Sequence, residues 1–381
     1  MKKVLSFIVC CLSYISTFAN DGAYYAQGNQ LIPVNESDIS VKKEVLTLTR
    51  KEDIVQVNVY YEFFNPSDEK EVLVGFEAES GDYTNPISFP EHPNIHNFKV
   101  VINGNPQTFD IAHIDFTYDG GRKIAAKYVI DGQIKGMSDE ECDKEIAEME
   151  CPEPFCDFVY YFKARFRPGL NVIRHTYDYD LSYYDNGAIS YIPYVLTAAN
   201  RWANHQIDDF TLLIDMGDRI SFNVSPTFYT SGDEWEIQGK GRYVPVAFSD
   251  IYNQTERAQF HMQHGVVRFH KDNFHPNGEL YVSALTKTWH DYISFDWIKK
   301  LYMPVPIYGS IDAKDDYYFT FTPEQRRIAK NLPFAQRGYI FNSKELQDFF
   351  ESTPWYIPNP DYKADVATLN ENEQNWVAFW K

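Results

Sequence analysis

The sequence has few basic residues for its length. Its 381 residues include 35 lysines and arginines against 54 aspartates and glutamates, which gives a net charge of −19 at pH 7. Nucleic-acid affinity comes chiefly from basic groups that displace counterions from phosphates. The acidic excess therefore predicts that the protein has no nucleic-acid partner, and it disfavours anionic lipid surfaces on the same grounds.

Linear catalytic motifs are also missing. The chain contains neither a G-x-G-x-x-G sequence nor a P-loop, and it has no H-E-x-x-H pair of zinc-binding histidines. These absences argue against a nucleotide site and against a metalloprotease of the zincin type. We therefore expect no cofactor, and we interpret the chain as a binding protein rather than an enzyme.

Only one long apolar run is present, and it lies at the start of the chain. Two lysines precede this run over residues 4–18, and a small residue, Ala19, follows it. This order is typical of a secretory signal peptide. The run has about 15 residues, short of the roughly 20 that span a bilayer core as a helix. We predict a signal peptide over residues 1–19 and a mature periplasmic or extracellular protein with no transmembrane segment.

Cysteines are scarce, and two of the five leave with the signal peptide. In an oxidising compartment two of the remaining three, Cys142, Cys151 and Cys156, should form a disulfide. Ser138 with Glu141 predicts a helix that reaches about residue 150. On such a helix Cys142 and Cys151 would lie roughly 13 Å apart, beyond the limit of about 7 Å for a disulfide. We predict Cys142–Cys156, with Cys151–Cys156 as the alternative.

Most of the mature chain has the pattern of short β-strands. Hydrophobic residues alternate with polar ones in two clear stretches, at Val55, Val57, Val59, Tyr61 and Phe63 and again from Phe158 to Phe166. A period of two is typical of half-buried strands, and many such strands between turn signals favour a sandwich or barrel. We predict a mainly β protein with a β-sandwich-like region over residues 20–312. It forms one or two subdomains, with a break near residues 136–157.

The last part of the chain changes to helical signals. Thr322 with Gln325 and Asn370 with Glu373 each match a capping box. Asn342 can cap a helix between them. Two apolar stripes at helical spacing follow, namely Leu346, Phe349 and Phe350 in one helix and Trp376, Phe379 and Trp380 in the next. We predict a small α-helical C-terminal module over residues 316–381, with its aromatic residues in its core.

Two parts of the chain resemble known families. FAQRGYIF at 334–341, SKEL at 343–346, PWY at 354–356 and LNENE at 369–373 occur in the order of the YARHG domain, a module of bacterial extracytoplasmic proteins. Upstream, NDG at 20–22, LIP at 31–33 and RWAN at 201–204 resemble a bacterial exported family of unknown function. The resemblance implies export and this domain order, and it implies no activity.

Two groups of residues are candidates for ligand contact. Arg337, Tyr339, Trp355 and Tyr356 belong to the helical module, where exposed arginine and aromatic side chains would be typical of a binding hot spot. The alternative is that Trp355 fills the helical core. His261, His264, His270 and His275 are weaker candidates for a metal site, because four imidazoles bind a metal only if their side chains converge.

From these features we predict an exported, non-enzymatic cell-envelope protein whose C-terminal module binds a cell-wall polymer or an envelope protein. The alternative is an envelope hydrolase of glycan or peptide that uses carboxylates or a metal. With 54 acidic residues a catalytic carboxylate pair would not be visible in the linear sequence, since the separation of the two groups exists only in three dimensions.

Overall fold

The computed structural model describes residues 19–27, 30–33, 36–51, 54–79, 91–115, 118–119, 122–123, 156–184, 189–249, 254–285 and 322–380. These residues form a β body followed by a helical module, so the predicted mainly β fold with a helical C-terminus is confirmed. The predicted signal peptide up to residue 18, the break near 136–157, Cys142 and Cys151 lie outside the described residues. Cys156 is the first residue of a strand, and the predicted disulfide stays a prediction.

The smaller sheet of the β body has five antiparallel strands. Their order across the sheet is β2, β1, β5, β11 and β8. Their bounds are Ala19–Gln27 (β1), Gln30–Pro33 (β2), Lys70–Glu79 (β5), Asp110–Asp115 (β8) and Cys156–Phe166 (β11). A separate short ribbon pairs β9, Tyr118–Asp119, with β10, Arg122–Lys123.

The larger sheet has twelve strands in the order β13-β14-β19-β16-β18-β15-β3-β4-β12-β6-β7, with β17 paired to β18. The bounds are Ser40–Lys51 (β3), Ile54–Asn65 (β4), Ile95–Ile102 (β6), Asn105–Gln107 (β7), Gly169–Asp180 (β12), Ser182–Tyr184 (β13), Ile189–Tyr194 (β14), Ile207–Asp215 (β15), Ile220–Val224 (β16), Trp235–Ser249 (β17), Gln254–Phe274 (β18) and Leu280–Leu285 (β19). The long strand β18 pairs with β17 along one edge and with β16 and β15 in succession along the other.

The two sheets face each other across one hydrophobic core. Phe76 of the smaller sheet lies 5.4 Å, between ring centroids, from Phe98 of the larger sheet and 5.0 Å from Tyr177. The alternating residues of β4, from Val55 to Phe63, are all buried in this core. The sandwich thus follows directly from the period-two pattern, because alternate side chains of a strand point to the same face.

The helical module has its own core, separate from that of the β body. Its helices are α1 (Pro323–Gln336), α2 (Lys344–Glu351) and α3 (Glu371–Phe379), and both predicted capping boxes are present at the starts of α1 and α3.

Two details of the module differ from the sequence-based prediction. Ser343, not Asn342, caps α2, because its hydroxyl accepts the backbone N–H of Leu346. Phe379, a member of the predicted stripe, is 36% exposed, and the buried side chains of α3 are Trp376, Val377 and Trp380.

Candidate functional site

Two of the three predicted aromatic contact residues lie inside the helical module. Trp355 and Tyr356 are each 1% exposed, and the Trp355 ring packs edge-on against Phe350 at 5.8 Å. The Tyr356 hydroxyl donates a hydrogen bond to the carbonyl oxygen of Tyr339 at 2.7 Å, and the Tyr339 ring packs against Phe341. These contacts correspond to the core-filling alternative for Trp355.

Arg337 connects two helices of the module. Its guanidinium donates to both carboxylate oxygens of Glu373, at 2.9 and 2.7 Å, and to the carbonyl oxygen of Pro333 at 2.9 Å. Both side chains of this ion pair are largely buried. In this arrangement the guanidinium joins the end of α1 to the first turn of α3.

The four predicted histidines do not come together. His261 and His270 are nine positions apart on one strand, which corresponds to roughly 30 Å. His261 is buried, His264 is exposed, and His275 contacts the backbone oxygen of His205.

His270 has its own acidic neighbours on the surface. Its ring nitrogens lie 3.7 Å from a carboxylate oxygen of Asp209 and 3.6 Å from one of Asp272. In the part of the chain that the structure describes, these three residues are the one group with metal-ligand atoms so close together. Lys43 already neutralises Asp209 at 2.6 Å, and Asp272 is mostly exposed. The arrangement is that of a solvated charge network.

A more unusual feature lies on β16, β18 and β19, which we call the polar layer. Phe222, Phe260 and Met262 of these strands point into the core of the sandwich. The residues that alternate with them point to the opposite face, yet they are buried as well, between 0% and 7% exposed. The polar layer consists of Ser221, Asn223, Gln259, His261, Gln263 and Ser283.

Strand register makes the polar layer continuous. Ser221 lies opposite His261, and Asn223 lies opposite Gln259 on one side and Ser283 on the other. The Ser221 hydroxyl is 2.6 Å from Nδ1 of His261. Nε2 of His261 and Oε1 of Gln259 have no hydrogen-bond partner in the described part of the chain.

Unpaired polar atoms of this kind are costly. A buried donor or acceptor without a partner costs about 1–3 kcal/mol, so nearly all buried polar groups in folded proteins are paired. Two such atoms lie two residues apart on β18, where a further polar group would complete their hydrogen bonding. The polar layer is the candidate functional site.

The protonation state of His261 limits the chemistry of this site. Burial, with a smaller contribution from the nearby Arg242 guanidinium, lowers the pKa of His261 from 6.5 to about 3. The imidazole is therefore neutral at physiological pH and can either donate or accept at Nε2. An efficient general base has a pKa near the working pH, so the Ser221–His261 pair is suited to hydrogen bonding rather than to activating a nucleophile.

The lowered pKa predicts a pH-dependent stability. Between pH 6.5 and 3 the unfolded chain binds a proton at His261 that the folded chain does not bind, so stability is full above pH 6.5 and falls as the pH drops. On going from pH 7 to pH 5, we expect the wild type to lose about 2 kcal/mol more unfolding free energy than a His261→Gln variant. Urea unfolding at the two pH values measures this difference.

His264→Gln is the matched control for that experiment, because His264 is an exposed residue of the same strand. It should keep the pH dependence of the wild type. If His261→Gln keeps it too, His261 is not the buried neutral imidazole described above.

The helical module adjoins the polar layer. Lys240 Nζ donates to the carbonyl oxygen of Pro358 at 2.9 Å, Arg242 Nη1 donates to that of Pro354 at 3.1 Å, and Gln263 Nε2 donates to that of Ile357. Residues 354–358 of the module therefore lie against β17 and β18.

Gly338 lies at the same contact between the module and the sheet. It has a φ of +78°, and a Cβ atom there would come within 2.6 Å of Nε2 of Gln263. A residue with a side chain would be strained by this backbone conformation and would also push against Gln263. The backbone conformation and the contact with Gln263 therefore both require a glycine at this position of the FAQRGYIF stretch.

The chain is similar to solved structures of two other proteins, and both likenesses are distant. No match was found among curated protein sequences. A crystal structure of a Legionella pneumophila protein described as a candidate nutrient binding protein aligns with 96% of this chain and 100% of its own, at 16% identity and a TM-score of 0.47. The M1 zinc metallopeptidase of Deinococcus radiodurans aligns with 66% of this chain and 43% of its own, at 10% identity and a TM-score of 0.25. No function is transferred from likenesses this distant.

No helix among the described residues is long and apolar enough to cross a membrane. The YARHG domain is typical of exported proteins, which agrees with the export predicted from the sequence; the signal peptide itself stays a prediction. Residues 311–381 match the YARHG domain, and residues 19–126 match a domain of unknown function (DUF4424), so the chain joins these two domains in the order that the sequence predicted.

Proposed function

We propose that this protein is an exported, non-enzymatic binding protein of the cell envelope. It holds a segment of a cell-wall polymer at the polar layer, beside the C-terminal module. The observation that carries the proposal is a pair of buried atoms, Nε2 of His261 and Oε1 of Gln259, that have no hydrogen-bond partner among the described residues. Ligand sites are characteristically formed by a few placed polar groups on an otherwise apolar scaffold, and the polar layer has that composition.

The side chains of the layer favour a ligand rich in hydroxyl and amide groups. Asn223, Gln259 and Gln263 carry amides, which both donate and accept, and Ser221 and Ser283 carry hydroxyls. Glycan strands and their peptide stems present the same two kinds of group. The layer itself has no charged residue, so it suits the neutral parts of such a polymer.

The C-terminal module contributes one side of the site in this proposal. Its core is separate from that of the β body, and its backbone carbonyls accept hydrogen bonds from Lys240, Arg242 and Gln263. In this proposal the contact residues predicted in the module do not touch the ligand. They stabilise the conformation of its segment 354–358; these residues are Arg337, Tyr339, Trp355 and Tyr356.

A Gln259→Met variant tests the proposal. Methionine has a similar length and no acceptor that needs a partner, so we expect the unfolding free energy to stay unchanged or to rise by up to about 1 kcal/mol. We expect affinity for the ligand to fall about tenfold, since one hydrogen bond of about 1.4 kcal/mol is lost. Sedimentation of the mature protein with insoluble peptidoglycan, over a range of protein concentrations, measures the affinity.

Gln238→Met is the matched control, because Gln238 is an exposed glutamine on the neighbouring strand β17. It should sediment as the wild type does. Absence of sedimentation by the wild type would overturn the cell-wall proposal. Release of soluble fragments from the peptidoglycan, lost in an Asn223→Leu variant that still folds, would replace it with the hydrolase alternative.

A further inference from the structure

Three basic residues border the polar layer. Arg242 lies directly opposite His261 in the pairing of β17 with β18, and Lys240 is two residues before it on the same strand. On the other side of β18, Arg219 precedes β16, and its backbone N–H donates to the carbonyl oxygen of Gln263 at 3.1 Å. Because neighbouring strands are about 4.8 Å apart and residues about 3.3 Å apart along a strand, the backbones of these residues lie within about 12 Å of one another.

The charged groups of these residues reach the same region as the module. Lys240 and Arg242 contact its carbonyl oxygens. Burial raises the pKa of the Tyr362 hydroxyl in the module, and the Arg337 and Arg219 guanidiniums oppose that shift. Arg219 lies on the side of the sheet that the module covers, because its backbone N–H donates to Gln263, whose amide donates to Ile357 of the module.

None of the three cations has a carboxylate partner in the described part of the chain. Several other basic residues there do have one, for example Lys42 with Asp208, Lys70 with Glu36 and Arg268 with Glu236. The chain has 54 acidic residues and a net charge of −19, so carboxylates are plentiful. Three neighbouring cations with no carboxylate partner among the described residues repel one another, and an anion placed between them relieves that repulsion.

Donors for such an anion are available. Lys240 and Arg242 each use one donor in their contact with the module, whereas an ammonium has three N–H donors and a guanidinium has five. Carboxylates bound by such groups form charge-assisted hydrogen bonds, which are roughly twice as strong as neutral ones. The bonds to the module therefore hold these side chains in place and leave donors for a ligand.

We infer that the ligand of this site is anionic: its carboxylates bind Arg219, Lys240 and Arg242, while its hydroxyl and amide groups meet the polar layer. The inference rests on the proposed function and narrows its substrate class to an acidic glycan-peptide. It also explains how a protein of strongly negative net charge can bind an acidic polymer, because the attraction comes from a local group of cations.

A soluble disaccharide-tetrapeptide from peptidoglycan tests the inference, beside the same compound with its carboxylates converted to amides. We expect the amidated compound to bind the full-length mature protein about tenfold more weakly in calorimetry. Arg219→Gln, Lys240→Gln and Arg242→Gln should each weaken binding of the acidic compound and reduce its salt dependence, with little effect on the amidated compound. Each variant leaves the bond from Gln263 to the carbonyl oxygen of Ile357 in place, so the module keeps a contact with the sheet.

Arg268→Gln is the matched control, because it makes the same change of charge on β18 at a residue that is paired with Glu236. It should bind both compounds as the wild type does. Equal affinity for the two compounds, with Gln259→Met still weakening both, would overturn the anionic ligand and leave the proposed function standing. No binding of either compound, together with no sedimentation on peptidoglycan, would overturn the proposed function itself.

Discussion

Phe63→Ala should lower the unfolding free energy of the β body by about 3–5 kcal/mol. The Phe63 side chain is fully buried, and its ring lies 4.6 Å from that of Trp202 and 5.5 Å from that of Phe166, which belongs to the opposite sheet. Truncation leaves a cavity between the two sheets that these large rings cannot fill. Denaturant unfolding of the mature chain, followed by circular dichroism of its strands, measures the loss.

Phe64→Ala is the control, since it removes the same atoms one residue further along β4. Phe64 points to the other face, is 38% exposed and has Lys42 Nζ 5.9 Å from its ring centroid. We expect a loss below about 1 kcal/mol, as for most surface substitutions. Similar losses for the two variants would contradict the assignment of Phe63 to the face of β4 that meets the core.

Strands such as β4 can be predicted from the sequence where one face of the strand contacts the core and the other contacts water. Val55 to Phe63 alternate for that reason, and all five apolar positions are buried. Local hydrogen bonds are equally visible, because a capping box needs only residues three positions apart. Thr322 with Gln325 and Asn370 with Glu373 both form the predicted boxes. Ser343 replaces Asn342 as a cap because either side chain can accept such a bond, and the sequence alone does not choose between them.

The polar layer could not be predicted from the sequence. An alternating pattern is interpreted on the assumption that the polar positions face solvent, and in this layer they are buried. Gln259, His261 and Gln263 alternate with Phe260 and Met262. This pattern predicts a strand with one solvent-exposed face, yet both faces are buried here. The burial of the outer face depends on chain segments far away in sequence, such as Ile357 beside Gln263.

The role of Arg337 could not be predicted for a similar reason. Its partner Glu373 is 36 residues away, and an arginine inside a family motif suggests ligand contact until that partner is known. Trp355 is comparable, because an aromatic residue between prolines can point outward or inward. In the structure its ring packs against Phe350 within the core of the module.

Glu373→Ala should destabilise the helical module by about 3–5 kcal/mol, because removing one partner of a buried ion pair leaves the other charge uncompensated. The Glu373 side chain is 3% exposed and that of Arg337 is 14% exposed. The same carboxylate also accepts the backbone N–H of Asn370 at 2.9 Å, so its removal breaks the capping box of α3 as well. Hydrogen exchange of the mature chain, read by mass spectrometry on peptides from α1 and α3, measures the loss of protection within the module.

Asp348→Ala is the matched control, since it removes a carboxylate from an ion pair of the same module that is largely exposed. Asp348 pairs with Lys344 in adjacent turns of α2, with side chains 57% and 84% exposed. Such exposed pairs contribute little to stability because water and salt screen them, so exchange in α1 and α3 should not change. Glu373→Gln separates the two roles of the residue, because its amide oxygen can still accept from Asn370 whereas its charge is gone. If exchange in this variant matches the wild type, the cap rather than the ion pair stabilises the module, and the assignment of Arg337 as the connection between α1 and α3 is wrong.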